Sequence, residues 1–179
     1  MKIYILVGKR GVGKTTLGKF LGANESTVHL EIEPLKITEA AEYYELDAKL
    51  FQTKAETFFQ YKDVQVTPQV LLAKRMYQIK CSDPNYFLKK CIEQIEPEMA
   101  GSMNYVISDI NTQEQVDFFM NQFGSQVVNL VGVTRLNFEM ETDEFNAESI
   151  HTWVTLHPNE FDEDFTVENI AYLIAKLPQ

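Results

Sequence analysis

The sequence GKRGVGKT at residues 8–15 decides how this chain is interpreted, because it matches the pattern G-x-x-x-x-G-K-S/T in full. The apolar run Ile3–Val7 comes directly before it and predicts a buried strand, and a helix is predicted from about Lys14 to Leu21. Glycines in such a loop let successive N–H groups converge on one anion, and the helix N-terminus adds partial positive charge. The stretch therefore predicts a phosphate-binding loop.

Residues of this loop have individual predicted roles in binding the triphosphate of ATP, or of a close relative, together with Mg²⁺. Lys14 is expected to bridge the β- and γ-phosphates, the Thr15 hydroxyl to bind magnesium, and Thr16 to approach the α-phosphate. The alternative is a glycine-rich turn in which the lysine occurs by chance. The predicted nucleotide-binding residues are Gly8, Arg10, Gly11, Val12, Gly13, Lys14, Thr15 and Thr16.

Segments typical of strands and helices alternate along the rest of the chain. Strands are predicted at Thr27–Leu30, Tyr105–Asp109, Val127–Val133 and Trp153–Leu156, and helices at about 68–80, 84–95, 112–123 and 167–177. Residues 34–97 are predicted to be mainly helical, with helical spacing of apolar residues from Leu35 to about Tyr61, interrupted by a break. Thr67 and Asp83 are predicted to cap helices that begin with proline. The alternation predicts an α/β fold in which helices cover both faces of a mostly parallel sheet, with ligands bound beyond the carboxyl ends of the strands.

The overall charge limits the possible partners. The chain has 179 residues with 26 acidic and 16 basic side chains, which give a formal net charge of -10. Such a surface repels phosphodiester backbones, so a nucleic acid polymer is not expected as a partner, whereas a small nucleotide in a local cationic pocket is compatible with it. The only arginines are Arg10, Arg75 and Arg135, and each is a candidate for such a pocket.

The cysteines and the hydropathy pattern predict a location. Cys81 and Cys91 have no second pair or nearby histidine with which to form a metal site, and they favour a reducing compartment. No segment reaches the roughly 20 apolar residues that a membrane span requires. We therefore expect a cytoplasmic protein without a membrane partner.

Several short segments follow the order found in one protein family. They are Pro34-Leu35-Lys36, Thr67-Pro68 with Leu71, Leu72 and Arg75, Asp83-Pro84-Asn85-Tyr86-Phe87, Val106–Ile110, and Val133-Thr134-Arg135. With the loop at residues 8–15, the chain resembles the nucleoside monophosphate kinases as far as about residue 135, and most closely the phage-type deoxynucleoside monophosphate kinases. The resemblance implies a single P-loop NTPase domain over residues 1–179, with a helical acceptor-binding insertion at about 34–97 and a lid at about 135–150.

The same resemblance implies ATP-dependent phosphoryl transfer to a small acceptor, in the first place a (deoxy)nucleoside monophosphate. Lys14, Asp109 and Arg135 would then be catalytic. Asp109 would hold magnesium through water or position the acceptor, and Arg135 would reach the transferred phosphoryl group from the lid. The alternative for Asp109 is a cap for the helix that begins near Thr112. The alternative for Arg135 is a surface ion pair with an acidic residue such as Glu139, worth under about 1 kcal/mol.

The acceptor phosphate would be bound by Lys36 and Arg75, for which the alternative is two solvated helix residues. Arg10 occupies a variable position of the loop motif and would flank the nucleotide. The aromatic residues Tyr43, Tyr44, Phe58 and Phe59 are interpreted as core rather than as a base-stacking surface. The three histidines are scattered along the sequence and indicate no nucleophile or metal site.

Some features depart from the family pattern and leave other functions open. Asn111 stands where the family has arginine, and Arg75 is the only arginine of the insertion. The segment 137–146 is acidic where a cationic lid is expected. The alternatives are a kinase of another small metabolite, and a nucleotide-binding module whose ATP occupancy or slow hydrolysis switches a partner interaction.

Overall fold

A computed structural model describes residues 1–52, 57–95, 103–135 and 152–156, with the backbone alone at Arg135 and residues 152–156. Its strands are β1 (Ile3–Val7), β2 (Thr27–Leu30), β3 (Phe59–Tyr61), β4 (Val64–Val66), β5 (Asn104–Ile107), β6 (Val128–Arg135) and β7 (Thr152–Leu156). Its helices are α1 (Lys14–Gly22), α2 (Ile32–Tyr44), α3 (Ala48–Gln52), α4 (Pro68–Ser82), α5 (Tyr86–Ile95) and α6 (Gln113–Phe123).

Five parallel strands form the main sheet in the order β2-β5-β1-β6-β7. The strand predicted at Ile3–Val7 is confirmed as β1, which lies between β5 and β6 with all five residues buried. A continuous apolar run forms a strand of this kind because both faces of a central parallel strand are covered. The predicted α/β fold with a parallel sheet is therefore present.

The connections between the strands place helices on both faces of this sheet. From β1 the chain passes through α1 to β2, two positions to one side, and from β5 it passes through α6 to β6, two positions to the other side. Right-handed crossovers that run in opposite directions put their helices on opposite faces. Ligands of open α/β sheets bind beyond the carboxyl ends of neighbouring strands whose connecting helices lie on opposite faces. Here these strands are β1 and β5.

The described residues divide into two units, one formed by Ile32–Glu93 and the other by Met1–Glu31 with the described residues from Gln94 onward. The Ile32–Glu93 unit has its own apolar cluster, formed by Ala40, Ala41, Tyr44, Phe51, Leu71 and Leu72. Its longest helix, α4, begins after Thr67, whose side chain accepts a hydrogen bond from the N–H of Val70 at 3.3 Å. The predicted cap at Thr67 is confirmed.

A β-hairpin interrupts the segment 34–97, in which the sequence pattern predicts helix as far as about Tyr61. β3 and β4 pair in antiparallel fashion with Phe59 opposite Val66 and Tyr61 opposite Val64, so the prediction of helix here is wrong. The two strands alternate apolar residues with glutamine, which suits a half-buried hairpin better than a helix. The two-residue turn between them places Lys62 at a φ of 53°, a left-handed conformation that ends any helical path.

Other element boundaries differ from the predictions by a few residues. β6 continues to Arg135, two residues beyond the predicted strand end. Asp83 accepts a hydrogen bond from the N–H of Asn85 at 3.0 Å just before α5, as expected for a residue that opens a helix. The helix predicted at 167–177 and most of the predicted lid lie outside the described residues.

Candidate functional site

The loop between β1 and α1 has a backbone that other residues rarely adopt. Gly8, Gly11 and Gly13 have φ values of 147°, 84° and 108°. Gly13 is the N-cap of α1, and glycine has no side chain with which to cap the first turn of that helix. The left-handed conformation at Gly13 is therefore compatible with a helix start that presents its N–H groups to a ligand.

Gly8 also lies very close to the neighbouring strand. A Cβ built at Gly8 would overlap the carbonyl oxygen of Val133 in β6. At the tip of the loop, Val12 is buried in an apolar cluster that includes Leu17 and Leu21 of α1. The loop is thus fixed to the sheet at its start and to the helix at its tip.

Lys14 is buried within this loop, with only 9% of its surface exposed. Its ammonium group donates hydrogen bonds to the carbonyl oxygens of Gly8, at 2.5 Å, and Lys9, at 3.2 Å. These carbonyl dipoles offset part of the cost of burying the ammonium, which places positive charge inside the concavity of the loop. Beside it, Thr15 and Thr16 are exposed in the first turn of α1, and Arg10 is exposed in the loop.

Asp109 follows β5 by two residues and therefore lies at the same edge of the sheet as Gly8. The cap of α6 is Thr112, which accepts from the N–H of Gln115 at 3.4 Å while the Gln115 side chain accepts from Thr112 at 3.2 Å. This reciprocal capping box satisfies the helix start. The interpretation of Asp109 as the cap of this helix is wrong, because Thr112 has that role.

Next to Asp109, the side chain of Ser108 is buried and lies 2.7 Å from Nε2 of His29 on β2. The histidines gave no functional signal in the sequence, so this contact was not anticipated. Its two residues are 79 positions apart, and only the pairing of β2 with β5 brings them together. A sequence signal does exist in Gly18 and Gly22 of α1, since two glycines four residues apart mark a helix face that accepts a close neighbour.

In the Ile32–Glu93 unit, Arg75 has defined partners. Its Nε and Nη2 donate to Oε1 of Glu39 at 3.2 and 2.5 Å, and its guanidinium carbon lies 3.9 Å from the centre of the Tyr43 ring. Oε2 of Glu39 accepts from the Tyr86 hydroxyl at 2.7 Å. We call Glu39, Tyr43, Arg75 and Tyr86 the Arg75 cluster; Glu39 and Tyr86 were not singled out from the sequence.

The electrostatics of the Arg75 cluster follow from these contacts. Burial opposes the charge on Glu39, but the hydrogen bonds from Tyr86 and Arg75 outweigh it, so the pKa of Glu39 is lowered. The same bond raises the pKa of the Tyr86 hydroxyl, because its proton is held by a carboxylate. Lys36 lies apart from these contacts, in a 3.1 Å surface pair with Glu33.

The predicted aromatic core in this unit is present only in part. Tyr44 is buried, and Phe59 packs against the same apolar cluster. Tyr43 and Phe58 are 51% and 66% exposed, so their assignment to the core is wrong. One face of the Tyr43 ring lies against the Arg75 guanidinium, in a cation–π contact that does not require full burial.

The remaining predicted residue, Arg135, ends β6 and pairs with Leu156 of β7. Its side chain lies outside the described part of the structure. None of the described helices combines the length and apolar character needed to span a bilayer. Within the same residues, His, Cys, Asp and Glu side chains do not gather into a group of three or more that could hold a metal ion.

Comparisons with known proteins do not identify a family. The sequence matches no protein family and no curated protein. Among solved structures, a proposed kinase from Chloroflexus aurantiacus J-10-fl is similar over 97% of this chain and 93% of its own, with a TM-score of 0.45 and 9% sequence identity. A similarity at this TM-score and this sequence identity does not establish the function of the chain. A proposal of function therefore rests on the geometry of the site.

Proposed function

We propose that this protein is an ATP-dependent phosphotransferase whose acceptor is a small phosphate-bearing molecule, in the first place a (deoxy)nucleoside monophosphate. The observation that carries the proposal is the loop of residues 8–15, with its three glycines at positive φ and the buried Lys14 ammonium facing the carbonyls of Gly8 and Lys9. Phosphate oxygens would take the place of those carbonyls around Lys14. The first N–H groups of α1 would bind the same anion.

The residues at this edge of the sheet also suit magnesium. Thr15 is exposed in the first turn of α1, and Asp109 follows β5, the strand next to β1. Both supply oxygen, and Mg²⁺ is commonly bound by one or two protein oxygens together with water and phosphate. When bound with ATP, the ion neutralises charge on the β- and γ-phosphates.

In phosphoryl transfer the protein mainly positions the substrates and neutralises the charge that develops on the transferred group. Lys14 would stabilise the charge on the transferred group, and Arg135 would add a second positive charge from the lid. Lys36 and Arg75 would bind the acceptor phosphate. Because little covalent chemistry falls to the protein, no strong general base is needed, and Asp109 would orient the acceptor as well as hold magnesium.

The decisive experiment measures ADP release and phosphorylated product with MgATP and a panel of nucleoside monophosphates. We expect one acceptor to stimulate turnover strongly. Lys14→Ala should lower kcat/KM by about 100-fold or more, in line with the loss of one preorganised charged donor. Lys49→Ala, which removes an exposed lysine from α3, is the matched control and should leave activity unchanged.

Arg135→Ala tests the lid assignment separately. If Arg135 acts on the transferred group, kcat should fall while MgATP affinity stays the same. Transfer rates equal to those of the wild type would exclude this role for Arg135. Absence of saturable MgATP binding in folded protein would refute the whole proposal.

A second candidate function is an ATP-binding switch module, and the Arg75 cluster favours it. The guanidinium of Arg75 is already engaged by Glu39 and Tyr43. An arginine neutralised in this way attracts a phosphate dianion less strongly. Slow ATP hydrolysis that no small acceptor stimulates would support the switch over the kinase.

A further inference from the structure

His29 lies in a space that the glycines of α1 leave open. A Cβ at Gly18 would overlap the imidazole ring, and a Cβ at Gly22 would lie 2.6 Å from the Cβ of His29. Any other residue at these two positions would push α1 away from β2. The position of α1 over this edge of the sheet therefore depends on the His29 side chain.

The same ring also reaches Ser108, which directly follows β5, the neighbour of β2 in the sheet. Nε2 of His29 is 2.7 Å from Oγ of Ser108, and Ser108 is only 1% exposed. A buried hydroxyl at this distance would lose its partner if the imidazole were removed, at a cost that favours rearrangement of the backbone around it. Ser108 is covalently followed by Asp109, so such a rearrangement would move the Asp109 carboxylate.

We infer that His29 is a positioning residue that sets the distance between the first turn of α1, which carries Lys14 and Thr15, and the Ser108–Asp109 segment after β5. The inference rests on the proposed function, since it gives His29 a part in phosphoryl transfer without any contact to substrate. The His29 side chain is packed against α1, the helix that follows the phosphate loop. The same side chain is hydrogen-bonded to Ser108, the residue before the candidate magnesium ligand Asp109.

The charge state of His29 fits this role. Burial lowers its pKa, Glu31 on one side acts to raise it, and Lys19 of α1 acts to lower it further. The net direction is downward, which favours the neutral imidazole. A neutral ring can accept a hydrogen bond at Nε2 or donate one from it, depending on the tautomer, and either bond holds the Ser108 hydroxyl.

The test compares two replacements of His29 that fill the space to a similar extent. Glutamine places a polar group near the position of Nε2, whereas leucine fills the space without a hydrogen bond. We expect His29→Leu to lower kcat by about 10- to 100-fold, because a displacement near 1 Å at a reacting centre has effects of this size. The KM for ATP should change by less than about threefold, because the phosphate loop is intact.

His29→Gln should recover most of the lost kcat, and a cycle with Ser108→Ala should show that the two changes are not additive in kcat. Urea unfolding of each variant separates these effects from loss of fold. Equal kcat for the leucine and glutamine variants, or additive effects in the cycle, would overturn the inference. So would a fall in kcat that follows the loss of stability from variant to variant.

The outcome also distinguishes this inference from the proposed function. A wild type that transfers phosphoryl groups, together with a His29→Leu variant of unchanged kcat and KM, refutes the role of His29 alone. A wild type that binds MgATP but transfers nothing to any acceptor refutes the kinase proposal and the inference with it.

Discussion

At the scale of single residues, the loop after β1 depends on the lack of a side chain at Gly8. Its φ of 147° lies in a region that is almost restricted to glycine, and a Cβ there would also overlap the backbone of Val133. Gly11 has a φ of 84° as well, but a Cβ there would meet nothing within 4 Å. Substitutions at these two positions therefore distinguish the effect of backbone strain, present at both, from that of steric overlap, present only at Gly8.

Gly8→Ala should accordingly be more damaging than Gly11→Ala. We expect Gly11→Ala to lower the free energy of unfolding by about 1–2 kcal/mol, the usual cost of a left-handed non-glycine residue. Gly8→Ala should cost at least about 2 kcal/mol, since overlap adds to strain. Urea unfolding of both variants measures the difference. Equal losses in the free energy of unfolding would show that the backbone of β6 at Val133 can move to accommodate the added methyl group.

The carboxylate of Glu39 gives the stability of the Ile32–Glu93 unit a pH dependence. Its folded pKa lies below the unfolded value, which is about 4.3 for glutamate. The stabilisation is therefore complete above the unfolded pKa and is lost as the pH falls through the folded pKa. At neutral pH the ion pair with Arg75 and the bond from Tyr86 contribute fully.

Glu39→Gln should lower the free energy of unfolding at pH 7 by about 1–3 kcal/mol, since it removes hydrogen bonds to a charged group. It should also reduce the loss of stability on going from about pH 5 to pH 3. Denaturant unfolding at several pH values checks both effects. Glu42→Gln, an exposed carboxylate on the same helix, serves as the control and should change neither. A Glu39 variant that loses as much stability in acid as the wild type would contradict the argument.

The strand, loop and helix that contain residues 8–15 could be predicted from the sequence because these residues are consecutive; phosphate binding by the loop stays a prediction. The Arg75 cluster could not be predicted in the same way. Arg75 and Tyr86 lie 36 and 47 residues from Glu39, and only helix packing brings them together. His29 and Ser108 were missed for the same reason, because contacts between distant strands leave little local pattern.

At the scale of secondary-structure elements, α6 shows how a few hydrogen bonds settle where a helix begins. Thr112 and Gln115 exchange backbone-to-side-chain bonds, and the N–H of Asn111 also donates to the Gln115 side chain at 2.9 Å. With this start fixed on Thr112, Asp109 is left outside the helix. The helix start therefore does not require the Asp109 carboxylate as a cap.

Thr112→Ala should lower the free energy of unfolding by about 1 kcal/mol, the typical effect of losing a threonine cap. Thr38→Ala is the matched control, because Thr38 is exposed within α2 and alanine is the better helix former there. Chemical denaturation of both proteins should show a loss at position 112 and little change or a small gain at position 38. Equal effects would mean that the capping box contributes nothing.

The strands were easier to predict than the Ile32–Glu93 unit. Strands β1 and β2 have the predicted limits, because a buried strand is a short apolar run with clear ends. The sequence predicts helix where β3 forms because Phe58 and Phe59 continue the aromatic spacing of the preceding residues. The three-residue strands β3 and β4 are too short to produce a pattern of their own.

At the scale of the whole molecule, the two units should differ in local stability. The central strand β1 is completely buried between two parallel neighbours, whereas β4 is largely exposed in a two-stranded hairpin. Amides in such central strands open only when most of the structure opens, and exposed hairpins open locally. The parallel topology follows from the strand–helix alternation and was predictable, but the order of the strands was not.

Native-state hydrogen exchange checks this expectation. Amides of Ile5 and Leu6 should exchange most slowly, and those of Tyr61 and Val64 should exchange faster by several powers of ten, because their opening free energies differ by several kcal/mol. Comparable protection in the two regions would show that the hairpin unfolds only together with the sheet.

The central place of β1 in the sheet has a consequence for how the protein is made. Lys2, at the edge of β1, hydrogen-bonds to Asn104 and Gln126, which lie 102 and 124 residues further along the chain. At about 5–20 residues per second, a ribosome takes roughly 6–25 s to synthesise that stretch. Throughout that interval the nascent chain carries an apolar segment that lacks at least one of its two neighbouring strands. The yield of folded protein in a cell should therefore depend on chaperones that shield the first strand until β6 has been synthesised.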